Sequence, residues 1–521
     1  QAGSLWWFCL FLLWESKFNL AAWDFALAGE RELFYTGSQS KGVRMEERVR
    51  EQVRISVRNL VEFILRSGDL DNRKDKTPDK NAMQAGAKMH RKIQKRMGAE
   101  YHAEVPLRII FEEERYELVV EGRADGIIYG EDDRITIDEI KGVYMDLAGL
   151  TEPIGVHRAQ AMCYAYIYAK EQSLDRINVQ ITYVNLESEE VKHFFYVFSF
   201  SFLEEWFHDT VDEMMKWIDH AISHARIRDA SITELEFPYE YRKGQKQMAA
   251  CVYKAIEGER RLFVQAPTGI GKTMAAMFPS VKAFAPGLVS KIFYLTAKTI
   301  AGTVPDQALT LLREHGLKFS SVMLTAKEKI CLNETMECDA EHCPYAKGHF
   351  DRVNAALFEM ITQEERMDRE VIRSYAERYR VCPFELGLDA SLFADTIIGD
   401  YNYVFDPRVN LKRFFSQTAY DTGRYVFLVD EAHNLVDRAS SMYSATLYKE
   451  DFLAVKKLVK PYSKKLVRGL ESCNRELLEL KKRCPEHGYQ ILNDIGVLYL
   501  KLLQLHTTME IFRRLQTDPG T

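Results

Sequence analysis

Residues 266–273 read Ala-Pro-Thr-Gly-Ile-Gly-Lys-Thr, and residues 430–433 read Asp-Glu-Ala-His. A short glycine loop that follows an apolar run and opens a helical pattern turns backbone N–H groups toward phosphate. The positive helix N-terminus adds to that attraction. In this setting Thr268, Gly269 and Gly271 shape the cradle, Lys272 reaches the β- and γ-phosphates, and the Thr273 hydroxyl takes Mg²⁺. Asp430 and Glu431 close a second apolar run. Asp430 is then the carboxylate that holds Mg²⁺ through its water shell, and Glu431 the base that orients an attacking water. The ligand expected from this pair of motifs is ATP with Mg²⁺.

Between the two motifs lie Cys331, Cys338, Cys343 and Cys382, spaced C-x6-C-x4-C-x38-C with Pro383 after the last. Four thiolates hold iron–sulfur clusters, and a Cys-Pro step is common at such sites. Zinc sites favour CxxC pairs, of which there are none. A 4Fe–4S cluster is the expectation; a zinc ion and metal-free thiols are the alternatives. Cys9, Cys163, Cys251, Cys473 and Cys484 are scattered, which fits a reducing cytoplasm better than a secreted disulfide framework.

A third constellation lies upstream. Asp125 closes the run EGRADG, and Glu139 and Lys141 close ITIDEIKG. Two carboxylates and a lysine spaced D…ExK can hold a divalent metal and polarise a water or a scissile phosphate. His90 precedes them as a further ligand for Mg²⁺ or Mn²⁺. Gln160 and Tyr164 follow at i and i+4, on one helix face.

The elements that must position these groups can be read from composition and periodicity. The chain has 521 residues, 46% apolar and 28% charged, with a net charge of −6. That is material for several soluble domains, and any nucleic-acid surface must be a local patch. Leu5–Trp14 is apolar but shorter than the roughly 20 residues of a membrane helix, so no membrane partner is expected. Residues 1–44 precede the first methionine, Met45, and are expected to be a non-native or disordered leader, a genuine partner helix being the alternative. The segment from Met45 reads as an amphipathic helix. Strand patterns follow at Leu107–Phe111, Tyr116–Glu121, Ile135–Glu139 and Asn178–Asn185, and a helical pattern runs from Phe202 to Ile218, with the unit closing near Ala225. Short apolar strands at Leu262–Gln265, Ile292–Leu295, Thr396–Ile398 and Val426–Val429 predict a buried parallel sheet. Lys456, Lys457, Lys460, Lys464, Lys465 and Arg468 form a basic helical stretch, either a solvated face or a single-strand phosphate contact.

These motifs resemble the XPD/DinG class of superfamily 2 iron–sulfur DNA helicases over about residues 235–521. In that class the first glycine of the loop is replaced, here by Ala266 or Thr268. Phe237-Pro238-Tyr239 and Arg242-Lys243-Gly244-Gln245 match the adenine-contact motif, with Gln245 as the reader. Tyr294-Leu295-Thr296-Ala297-Lys298-Thr299 and Asp400-Tyr401-Asn402-Tyr403 match further signatures. The resemblance implies that Thr296, Lys298 and Asn402 touch single-stranded DNA, and that His433 couples nucleotide state to it. Residues 80–170 resemble the RecB-like branch of the PD-(D/E)XK nucleases, implying Gln160 and Tyr164 as DNA contacts. The expected fold is α/β and multidomain. A PD-(D/E)XK nuclease-like α/β domain (45–228) is followed by a RecA-like P-loop lobe (229–440) with a 4Fe–4S insert (about 321–390), then the start of a helical arch domain (441–521). The expected function is an ATP-dependent 5′–3′ helicase joined to a metal-dependent nuclease, acting on single-stranded or forked DNA in repair. No second motor lobe is matched, so the chain reads as the N-terminal portion of a longer enzyme that binds ATP but hydrolyses it poorly alone. The rivals are an inactive nuclease fold serving as a DNA clamp and a non-motor ATP-binding switch.

Overall fold

The computed structural model describes residues 6–11, 51–72, 80–130, 134–267, 269–297, 303–415, 423–485 and 488–517. Two compact bodies divide the chain at Met442 and Tyr443; the first body holds two units, each built on its own sheet. Among the described residues no helix is long and apolar enough to cross a membrane.

The first described segment is strand β1 (Trp6–Phe11), so part of the expected leader has regular structure. The rest of residues 1–44 lies outside the described residues. Strand β2 (Glu51–Ser56) and helix α1 (Val57–Ile64) replace the single helix expected from Met45. The reason is local. Val53 and Ile55 are buried while Arg54 between them is exposed, a period of two. The Ser56 hydroxyl then accepts from the Asn59 N–H at 3.1 Å and starts the helix. After helix α2 (Lys80–Gln94) come β3 (Tyr101–Glu112), β4 (Tyr116–Tyr129) and β5 (Ile135–Val143). Helix α3 (Gly155–Gln172), β6 (Arg176–Asn185), β7 (Val191–Ser199) and helix α4 (Phe200–Glu234) complete the unit, which therefore runs past Ala225.

The first sheet runs β2-β4-β5-β6-β7, with β3 on β4. Long β4 pairs with β2 through its first half and with β5 through its second. Asp125 therefore sits inside a strand rather than at its end. Strands β5 and β6 are parallel, and α3 makes the crossover that parallel neighbours need. Every residue of α3 from Ala159 to Ala169 is buried, as befits a helix packed on more than one side. Tyr164 crosses β4 at Gly122, where an added Cβ would stand 2.6 Å from its hydroxyl oxygen.

Helix α5 (Gln245–Glu257) leads into β8 (Leu262–Ala266), α6 (Lys272–Lys282), β9 (Lys291–Thr296), α7 (Thr303–Glu314) and β10 (Ser321–Met323). Then come α8 (Lys327–Ile330), α9 (His349–Gln363), β11 (Arg366–Met367), α10 (Arg369–Tyr379), α11 (Pro383–Phe393), β12 (Thr396–Asp400) and β13 (Tyr425–Val429). The second sheet runs β11-β10-β12-β9-β13-β1-β8. Its pairs are parallel from β11 to β13, while β1 lies antiparallel between β13 and β8. All six residues of β9 are buried. Edge strand β8 alternates instead, with Phe263 exposed. Strands β10 and β11 fall within 321–390, so the cysteine-bearing insert is smaller than that span. Residues 443–521 carry helices Lys449–Val459, Lys464–Arg483 and Val497–Thr517 around Phe452, Leu466, Leu470 and Leu505.

Helix α4 fastens the first sheet's unit to the second. Asp395, just before β12, is buried and meets His224 Nε2 at 2.7 Å and Arg228 Nη1 at 2.8 Å. The Ser320 N–H and hydroxyl also donate to it, each at 2.8 Å. Burial alone would raise the Asp395 carboxyl, but these partners hold it well below the usual carboxylate range. His224 is raised: burial opposes its charge, and the Asp395 hydrogen bond and charge override that. Two expectations follow from the signs. A raised histidine contributes stability below its unfolded value of about 6.5 and loses it as pH climbs through the folded value. Stability should therefore decline above about pH 6.5, and His224→Gln should flatten that decline in urea titrations at stepped pH. Depressed Asp395 contributes above its unfolded value of about 3.9 and fails only in acid. Asp395→Ala, which strands a buried guanidinium, should cost about 3–5 kcal/mol at neutral pH.

Candidate functional site

Strands β8, β9, β12 and β13 end at one edge of the second sheet, the place where open α/β sheets bind ligands. The loop after β8 bends through Gly269 (φ +83°) and Gly271 (φ +79°), left-handed conformations that other side chains rarely adopt. At Gly271 an added Cβ would also meet Gln245 Nε2 at 2.5 Å. Lys272 and Thr273 then open α6. Gln245 is buried; its Nε2 lies 3.3 Å from the Gly271 carbonyl, and its Oε1 accepts from the Arg242 N–H at 3.1 Å. Arg242 also donates to the Gly269 carbonyl. Phe237 stacks on Tyr241 at 4.0 Å beside this loop.

Across the edge, the Tyr294 hydroxyl donates to Asp430 Oδ2 at 3.2 Å and also bonds with Thr273. One phenol thus links the two motifs. Burial raises the Asp430 carboxyl, and burial with the nearby Asp430 charge raises Glu431. Glu431 adopts φ +52°, and its Oε2 is buried with no hydrogen-bond partner among the described residues. His433 Nδ1 stands 3.5 Å from that oxygen. Tyr401 is fully buried and donates to the carbonyls of Asp430 and Glu431. The Tyr401 N–H bonds the Thr296 carbonyl at 3.2 Å, which brings Thr296 and Asn402 to the same edge. Asp400 is held by Arg438 Nη2, 2.8 Å to each carboxylate oxygen. Thr268 and Lys298 lie outside the described residues.

Cys331, Cys338, Cys343 and Cys382 line one cavity with Leu70, Lys327, Pro383 and Phe384. Their sulfurs are spread: among the described residues no three lie within 4.8 Å of one another. Cys382 is the N-cap residue of α11, and the nearby backbone N–H groups of Glu385 and Phe384 favour its thiolate. Burial nonetheless pushes its thiol up to about 12. Lys327 is raised: burial opposes its charge, and the Cys338 and Cys382 sulfurs more than offset that.

In the first unit the residues chosen from sequence converge. Register places Asp125 next to the last β4–β5 pair, Gly126 with Asp138, and so beside Glu139. Asp125 Oδ2 accepts from the Ile140 N–H at 2.7 Å, and its Oδ1 lies 3.5 Å from His90 Nδ1. Lys141 Nζ reaches Glu139 Oε1 at 2.7 Å and Gln160 Oε1 at 2.9 Å. Gln160 in turn hydrogen-bonds Tyr164. Glu139 is 1% exposed, and its Oε2 has no hydrogen-bond partner among the described residues. Burial pushes its carboxyl up to about 7, against the pull of Lys141. Two carboxylates, an imidazole and an orphaned buried oxygen fit a divalent cation.

Sequence reasoning missed Tyr294, Arg438 and Gln94 as site residues. Gln94 Nε2 bonds the Asp125 carbonyl at 3.0 Å, one turn beyond His90. The i, i+4 spacing was a usable signal for Gln94, and the Tyr294–Thr299 signature was one for Tyr294; Arg438 carried none.

Two family descriptions match the second unit's sequence. The DEAD/DEAH box helicase family matches residues 242–341, and the family described as DEAD_2 matches residues 315–452. ATP-dependent DNA helicase CHL1 of Kluyveromyces lactis is 27% identical over 145 residues, 27% of this chain and 17% of that protein. A regulator of telomere elongation helicase 1 homolog of Anopheles gambiae is 22% identical over 271 residues, 42% of this chain and 27% of that one. The chain thus spans under a third of each relative's length. A solved structure titled XPD_Helicase has 19% identity and a TM-score of 0.36, covering 54% of this chain and 48% of that one. The two matches together run from residue 242 to residue 452.

Neighbouring carboxylates on β5 should behave differently. Glu139→Gln should weaken Mn²⁺ binding at least about tenfold in calorimetric titration, since a charged ligand is lost. Asp138 is bonded by Thr182 at 2.6 Å, Gln180 at 3.0 Å and Tyr101 at 3.2 Å. Asp138→Ala should leave Mn²⁺ affinity unchanged and cost about 1–3 kcal/mol per stranded partner in urea unfolding.

Proposed function

We propose that this chain is the nuclease and first-motor-lobe portion of an ATP-dependent DNA helicase of the iron–sulfur type. It acts on single-stranded or forked DNA in the reducing cytoplasm. The observation that carries the motor reading is the meeting of Lys272, Thr273, Asp430 and Glu431 at one sheet edge, inside the segments that the two helicase-family descriptions match. Lys272 would hold the β- and γ-phosphates, Thr273 and Asp430 the Mg²⁺, and Glu431 the attacking water. The Tyr294 phenol keeps Thr273 and Asp430 facing each other. Gln245, seated on the loop, would report adenine binding to Gly271. Thr296, Lys298 and Asn402 would track the DNA backbone.

The four cysteines fit a 4Fe–4S cluster. Such a cluster would supply a covalent tie between Cys331, Cys338, Cys343 and distant Cys382, which line one cavity.

The nuclease reading rests on orphaned Glu139 Oε2 beside Asp125, His90 and Lys141. Those ligands would hold Mg²⁺ or Mn²⁺, which supplies Lewis-acid polarisation of a phosphodiester and an activated water. Lys141, steadied by Gln160, would hold a proton against the developing charge. Gln160 and Tyr164, buried on α3, would position Lys141 rather than meet the DNA themselves.

Mn²⁺-dependent cleavage of single-stranded and forked DNA separates these roles. Lys141→Ala should reduce cleavage by about 10² or more, as loss of one positioned catalytic group does. Lys272→Ala should leave cleavage without ATP unchanged and abolish binding of a fluorescent ATP analogue. No cleavage by the unaltered chain would make the first unit a DNA-holding module instead.

A further inference from the structure

One wall of the cysteine cavity does not belong to the helicase domain. Leu70, from the segment after α1, is fully buried and packs with Cys343, Ala346 and Cys382. The segment is held along its length. The Leu70 N–H bonds the Ala346 carbonyl at 2.9 Å, and the Asn72 N–H bonds the carbonyl of Cys338 itself at 3.0 Å. The Gly68 carbonyl accepts from Phe350 at 3.0 Å, and the Gly68 N–H donates to Asp351 Oδ1 at 2.8 Å. Asp69 Oδ1 accepts from the Gly348 N–H at 2.6 Å. Upstream, Arg66 Nη1 pairs with buried Asp389 at 2.8 Å, and Arg66 Nε donates to Asn354 Oδ1 at 2.8 Å.

We propose that residues 66–72 are a strap that closes the cysteine cage, so that the first unit shields the cluster and cluster assembly locks that unit to the motor. The inference rests on the iron–sulfur reading above. The physical argument is that the strap's hydrogen bonds run to the loops carrying Cys338 and Cys343. Those loops take one defined shape when their sulfurs are tied, and a strap bonded to their carbonyls inherits that order. Leu70 supplies the apolar cover that keeps water and small chelators from the sulfurs. The strap is a positioning element, not a ligand.

The test uses the full chain purified anaerobically. Visible absorption near 400 nm with iron and sulfide analysis comes first; a chain that carries zinc or no metal overturns the iron–sulfur reading itself. In a cluster-loaded chain, iron release to a colorimetric chelator under argon is then compared among variants. Leu70→Ser should release iron about tenfold faster, and Leu70→Met should restore a rate near the unaltered one. Equal rates for all three overturn the strap. Hydrogen exchange gives a second reading that needs no variant. The Leu70 and Asn72 amides should be protected in the loaded chain and exchange at least about tenfold faster once the cluster is removed. Equal protection in both states overturns the coupling.

Discussion

Two buried carboxylates hold this molecule's two sheets together. Asp389 lies within α11 and is paired by Arg66 at 2.8 Å and Arg413 at 2.9 Å. Asp395 follows the same helix and is held by His224, Arg228 and Ser320. Burial would raise both carboxyls, yet their cationic partners keep both below the ordinary range. An unpaired charge in such a place costs several kcal/mol, so neither carboxylate is tolerable unless its partners arrive. Arg66, His224 and Arg228 come from the first unit, which makes that unit a structural requirement of the second.

Helix α11 gains its importance from the same contacts. Its N-cap is Cys382, its middle carries Asp389, and Asp395 leads directly into β12. Strand β12 ends at Asp400, next to Tyr401, whose hydroxyl binds the carbonyls of Asp430 and Glu431. One continuous stretch therefore runs from the cysteine cage to the nucleotide edge. Each end is fixed by groups far away in sequence: the strap at one, the Asp430–Glu431 turn at the other.

The first unit shows how strand alternation sorts chemistry. Glu139 and Lys141 point to the side where α3 brings Gln160 and Tyr164, while Asp138 and Ile140 point to the other. Asp138 is bonded on every side and is a piece of the core. Glu139 keeps one oxygen orphaned and is a piece of a site. Adjacent acids of nearly the same size thus take opposite roles because of one step along a strand.

Residue type and spacing singled out the glycine loop, the Asp430–Glu431 pair, the four cysteines and the Asp125, Glu139, Lys141 set as candidates. Each of these depends on a local strand, turn or helix start, whose signal lies within a few residues. Short-range pattern also marked β8, β9, β12 and β13, because buried parallel strands are nearly continuous apolar runs. It misjudged residues 51–56, where alternation over six positions was hidden in a charged amphipathic stretch, and it set the cysteine insert too wide, because two-residue β11 is too short to carry a period. Tyr294 and Tyr401 stood in recognised signatures but without a role, and Arg438 and the Arg66–Asn72 strap were beyond it altogether. Tyrosines, arginines and a leucine are ordinary residues in any window of sequence. Their roles come from partners tens to hundreds of positions away, and only the folded packing, which must satisfy every buried charge and backbone N–H, brings those partners into reach.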